Sequence, residues 1–164
     1  MKTAILIVLT LVAQRMLVLP GMPSWGAVVL LPAAWVVGLS LDRKYEHPFL
    51  FGVALGLAMD LLLQPLVGPG GIAWSLASLV AWWAAARVAG RSPLTWAGMG
   101  ALVAALVPLG RSLAEAPFAV AAAPIPQNFL AGVALTSLWC GLVGWVLYLN
   151  VPERWRRMRT RKLR

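Results

Sequence analysis

Residues 51–71 read Phe51-Gly52-Val53-Ala54-Leu55-Gly56-Leu57-Ala58-Met59-Asp60-Leu61-Leu62-Leu63-Gln64-Pro65-Leu66-Val67-Gly68-Pro69-Gly70-Gly71. Up to Leu63 the stretch is apolar apart from Asp60. Gly52 and Gly56 stand four apart, and Asp60 is the next step of four. On an α-helix that spacing puts both glycines and the carboxylate on one face. Small residues there let a neighbouring backbone come close, so the face is expected to pack on another helix and carry Asp60 into a bundle. The run then breaks at an uncharged Pro/Gly turn, residues 64–71. This turn lacks the Lys-Ser/Thr of a phosphate-binding loop.

An apolar run with a single acid is a membrane pattern, and the rest of the chain continues it. Of 164 residues, 61% are hydrophobic and only 12% charged, and the mean hydropathy is +0.82. Soluble domains draw about a quarter of their residues from the charged types. Six apolar segments of about 20 residues each use most of the length and leave no room for a separate soluble domain. The expected fold is all-α, an integral membrane six-transmembrane-helix bundle over residues 1–150 with a basic cytoplasmic tail over 151–164.

Working outward, the pattern predicts helices over residues 3–19, 25–41, 49–63, 72–89, 94–114 and 128–149. The first ends at Pro20-Gly21-Met22-Pro23, and a cleaved signal peptide is disfavoured because Leu11 stands where a cleavage site needs a small residue. Pro32 should kink the second helix, and Pro108 lies inside the fifth. Residues 116–127 carry Pro117, Pro124 and Pro126 and cannot be regular helix throughout. Trp25, Trp74, Trp96 and Tyr148 fall near predicted helix ends and read as interfacial anchors, whereas Trp35 and Trp139 fall mid-helix. Cys140 and His47 are each the single residue of their type. No metal-ligand set and no nucleophile–base pairing is visible, so neither a cofactor nor an enzymatic activity is expected.

Orientation follows from the basic residues. With the N-terminus inside, the inner segments carry twelve Lys and Arg and the three outer turns carry none, which places both termini in the cytoplasm. The formal charge of +9 therefore lies on one side, and it does not point to nucleic acid. In the tail, Asn150, Pro152 and Glu153 form a helix-start pattern. Arg154, Trp155, Arg156, Arg157, Arg159, Arg161, Lys162 and Arg164 then suit anionic lipid or a cytoplasmic partner.

Four ionisable residues remain inside apolar runs: Arg15, Asp60, Arg111 and Glu115. A charge at mid-membrane costs about 2.5–3.5 kcal/mol on insertion scales, so such residues face the bundle and pair. Under the inside-to-outside topology of helices 1, 3 and 5, all four sit at one depth near the outer surface. Arg111 and Glu115 also share a helix face at i, i+4. An internal polar cluster is expected. Two other arrangements stay open: Arg15 and Glu115 snorkelling outward around an Asp60–Arg111 pair, or a proton or substrate site.

The segment from Gly52 to Asp60, with the glycine-bearing turn and the apolar helix after it, resembles the rod shape-determining protein MreD family, whose pattern is G-x-x-x-G-L-x-x-D. The motif-bearing match spans residues 49–90, and length, helix count and basic tail agree in layout. The resemblance implies a non-catalytic inner-membrane scaffold of the bacterial cell-elongation complex. Its implied partners are a single-span MreC-like protein, RodA with a penicillin-binding transpeptidase, and the MreB filament. It also implies a fold similar to the substrate-binding subunits of energy-coupling-factor vitamin transporters, which supplies the alternative function. The A-x-x-x-A contact usual in the first helix of those subunits is missing here, where helix 1 has Ala4 and Ala13 only.

Overall fold

The computed structural model of the chain describes residues 2–18, 29–42, 48–63, 67–88, 92–116 and 128–150. Among them are six helices and no strand: α1 (Lys2–Leu17), α2 (Ala33–Leu41), α3 (Pro48–Leu63), α4 (Pro69–Ala85), α5 (Pro93–Glu115) and α6 (Phe129–Asn150). The expected charged turn at 43–47, Trp25, the proline-rich stretch from Pro117 and the basic tail lie outside the described residues.

Local sequence explains most boundaries. Pro93 starts α5 at a position where a missing N–H costs nothing. Ser92 caps that helix by accepting the Thr95 N–H at 3.2 Å. Pro108 lies within α5 without ending it. α4 begins at Pro69, three residues before the expected start, because Gly68 turns the chain at φ 129°, a conformation favouring glycine. The largest departure is α2. It has 9 residues where 25–41 was expected to be helical, and residues 29–32 are non-helical. Pro32 disfavours helix for the residue before it and sits at the N-cap, so residues 29–32 lead into α2 through a turn.

The order of packing follows the chain. α3 lies on α4, α4 on α5 and α5 on α6, while α2 fits across α4, α5 and α6 and α1 rests against α3. The core is built from Val36, Val37, Leu55, Ala77, Val103 and their neighbours. Trp74 and Trp96 belong to it, at 2% and 9% exposure, in contrast to the interfacial positions expected for them. Trp96 is drawn in by glycines. A Cβ at Gly144 would stand 2.6 Å from its Cβ, and one at Gly38 would stand 3.1 Å from its ring.

Outward faces are apolar as well. Leu94, Leu130, Leu113, Leu61 and Leu138 are each more than two-thirds exposed, and α1 shows Ile5, Leu6, Val8, Leu9, Val12 and Met16. Large contiguous apolar exteriors are rare in water-soluble monomers. Two helices, α5 and α6, are long and apolar enough to cross a membrane, while the apolar parts of α1 and α3 are shorter.

Candidate functional site

The site grows out of the α3–α4 contact. A Cβ at Gly52 would meet the Trp74 carbonyl at 2.6 Å and Ser75 Cα at 2.7 Å, and one at Gly56 would meet Gly71 Cα at 2.7 Å. Both glycines are thus required for the two backbones to lie this close. The next residue on that face, Asp60, is 1% exposed. Its Oδ2 accepts the Gly68 N–H at 2.9 Å and the Gly70 N–H at 2.8 Å. Asp60 therefore caps the N-terminus of α4 from a different helix. Its charge suits the positive end of the helix dipole. Gly70 is part of the fit, since a Cβ there would lie 2.6 Å from the Asp60 carboxyl carbon.

α5 brings the other charges. Gly110 lets it approach α4, with a built Cβ only 3.2 Å from Ala73 Cα. Arg111 Nη1 then stands 4.0 Å from Asp60 Oδ1, while Arg111 Nε donates to Glu115 Oε1 at 2.6 Å. Glu115 is buried and Arg111 is one-quarter exposed. Asp60, Arg111 and Glu115 form one chain of contacts at one end of the bundle.

Arg15 is not in it. Its side chain is exposed, and the neighbouring Gln14 occupies the inward position at 1% exposure. A neutral amide is cheaper to bury than a guanidinium, whose long stem reaches outward across apolar surface. Gln14 Oε1 accepts the Leu31 N–H at 2.8 Å. This is one of several bonds that satisfy the non-helical lead-in to α2. Leu30 N–H donates to Thr136 Oγ1 at 3.1 Å, and Trp139 Nε1 donates to the Leu31 carbonyl at 3.2 Å. In the first turn of α2, Trp35 Nε1 donates to Thr10 Oγ1 at 2.7 Å. Trp35 and Trp139, both expected mid-helix, thus have internal partners, although Trp35 lies in the first turn of α2. Sequence reasoning passed over Gln14, Thr10 and Thr136. Their signal was present as uncharged polar residues in apolar helices, in a chain where Pro32 frees backbone groups.

Comparison with family models, curated proteins and solved structures finds no match.

Between these parts lies a cavity of about 160 Å³, bounded by Gln14, Met59, Asp60, Trp74, Val107 and Arg111 among others. It combines one acid, one base and one amide with an apolar remainder. No group of three or more His, Cys, Asp or Glu among the described residues is placed to hold a metal. Cys140 is buried against Gly100 in the α5–α6 contact, away from the cluster.

Proposed function

We propose that the chain is a non-catalytic, multi-pass scaffold of the bacterial inner membrane. In this reading six segments cross the bilayer, both termini are cytoplasmic, and the helix faces bind other membrane proteins of the cell-elongation complex. The partners are an MreC-like single-span protein and, with it, RodA, a penicillin-binding transpeptidase and MreB. The single observation that carries the reading is the use made of the MreD-like motif. Gly52 and Gly56 bring two backbones together, and Asp60 binds the N–H groups of Gly68 and Gly70. The carboxylate thereby holds a helix hairpin together, as a scaffold requires.

The apolar outer faces support membrane embedding. So does Arg87, stacked 3.2 Å over the Trp83 ring beyond the C-terminal end of α4, on the side assigned to the cytoplasm. Affinity purification of the tagged chain from its native membrane tests the proposal. Co-elution of a single-span MreC-like protein is expected, and co-elution of transporter ATPase subunits would overturn it. The cavity beside Asp60 gives the vitamin-transporter subunit its one supporting observation, and native mass spectrometry of a retained vitamin would favour that reading.

A further inference from the structure

The two charged walls of the cavity are each held by other groups. Two backbone N–H groups hold Asp60 Oδ2, and Glu115 holds Arg111 Nε. Arg111 Nη1 and Asp60 Oδ1 consequently stop 4.0 Å apart, beyond hydrogen-bond range. Opposite charges in a low-dielectric interior attract strongly and close up unless they are tethered. These are tethered, and both border the cavity.

Charge decides what suits the gap. Asp60 and Glu115 bring two formal negative charges and Arg111 one positive, and the start of α4 adds about half a positive charge. The sum is about half a negative charge, so a bare anion would deepen it, and a bare cation would leave Arg111 facing a charge of its own sign. A primary ammonium would donate to Asp60 Oδ1, and an anionic oxygen on the same molecule would accept from the Arg111 Nη groups. Size points the same way. The space holds several waters but falls well below the roughly 300–1,000 Å³ of pockets for larger ligands.

We propose that this cavity binds a small zwitterion, a primary ammonium joined by a short link to a phosphate. For a chain in a bilayer the nearest source is the headgroup of phosphatidylethanolamine, and free phosphoethanolamine is the other. The proposal rests on membrane embedding and not on the identity of protein partners, so failure of the co-elution experiment would leave it standing.

The full chain, purified in detergent, is offered phosphatidylethanolamine, phosphatidylcholine and phosphatidylglycerol with matched acyl chains, and retention is read by native mass spectrometry. Phosphatidylcholine carries no N–H, and phosphatidylglycerol carries no cation. The expected result is retention of phosphatidylethanolamine about fivefold or more over both, the scale of one charge-assisted hydrogen bond partly offset by desolvation. Arg111→Gln removes the partner of a phosphate that all three lipids carry and should lower retention of each, while the preference, set at Asp60 Oδ1, should vanish in Asp60→Asn. It should vanish equally in Val18→Phe, which fills the cavity from the half-buried end of α1 and leaves both charges in place. A thermal shift with free phosphoethanolamine and no lipid preference would assign the soluble source. Equal retention of the three lipids without such a shift overturns the proposal, as does a lipid preference that persists in Val18→Phe.

Discussion

Asp60 Oδ2 accepts the Gly70 N–H at 2.8 Å, so the last turn of α3 caps the first turn of α4. Helix N-caps are ordinarily supplied by the residue next to the helix in sequence. Here the cap reaches across a turn, and the start of one helix depends on the packing of another.

Removing this cap should be expensive. Asp60→Ala leaves the buried Gly70 N–H without its acceptor, at about 1–3 kcal/mol, and the part-buried Gly68 N–H unpaired at a smaller cost. Asp60→Asn keeps an acceptor oxygen and should lose less. Hydrogen exchange at the Gly68 and Gly70 amides measures this directly. Faster exchange there than in α5 is expected for Asp60→Ala, and unchanged exchange would show that the cap contributes nothing.

Glycine substitutions should separate by contact. Gly56→Ala drives a methyl group into the Gly70–Gly71 backbone, an overpacking that costs about 1–3 kcal/mol or more. Gly98→Ala on α5 meets nothing within 4 Å and should gain up to about 1 kcal/mol from helix propensity. Thermal unfolding of the two variants in the same detergent should therefore move in opposite directions.

On α1 the neutral residue should outweigh the charged one. Gln14→Leu strands the Leu31 N–H and should destabilise by about 1–3 kcal/mol. Arg15→Leu changes an exposed side chain and should stay within about 0.5 kcal/mol. A larger loss from Arg15→Leu than from Gln14→Leu would contradict the placement of the two side chains.

Exchanging the charges of Asp60 and Arg111 should fail to restore stability. An arginine at position 60 has no oxygen to accept the Gly68 and Gly70 N–H groups. The double variant Asp60→Arg with Arg111→Asp is expected to unfold no later than Asp60→Arg alone. Rescue would mean that the ion pair, and not the cap, is what Asp60 provides.

Ser78 Oγ is the one buried side-chain polar atom among the described residues without a hydrogen-bond partner. It faces Gly52, where a built Cβ would lie 2.7 Å from it. Ser78→Ala removes an unsatisfied group and should raise the unfolding temperature or leave it unchanged.

The spacing of Gly52, Gly56 and Asp60 was enough to anticipate a close helix contact and an inward carboxylate, because i, i+4 geometry leaves few alternatives. Arg111 and Glu115 were readable for the same reason. Arg15 misled because formal charge marks a residue as notable while saying nothing about which way its helix faces. Gln14, one position earlier, carries no charge to draw notice yet holds the inward place. The break before α2 was hidden by composition. Residues 29–32 are as apolar as any helix here, and only Pro32 signals that their backbone groups need outside partners. Trp96 went inward because Gly38 and Gly144, distant in sequence, open a slot for its ring, and no local pattern encodes such a slot.

The cross-helix cap also bears on how the chain assembles. Every contact that defines the α3–α4 unit lies within residues 48–85: the glycine face, the turn at Gly68 and the Asp60 bonds. Contacts of short sequence separation close with little loss of chain entropy and form early. The hairpin can thus be complete before α5 and α6 have been synthesised. It then stands as a template on which Gly110 lets α5 dock against Ala73.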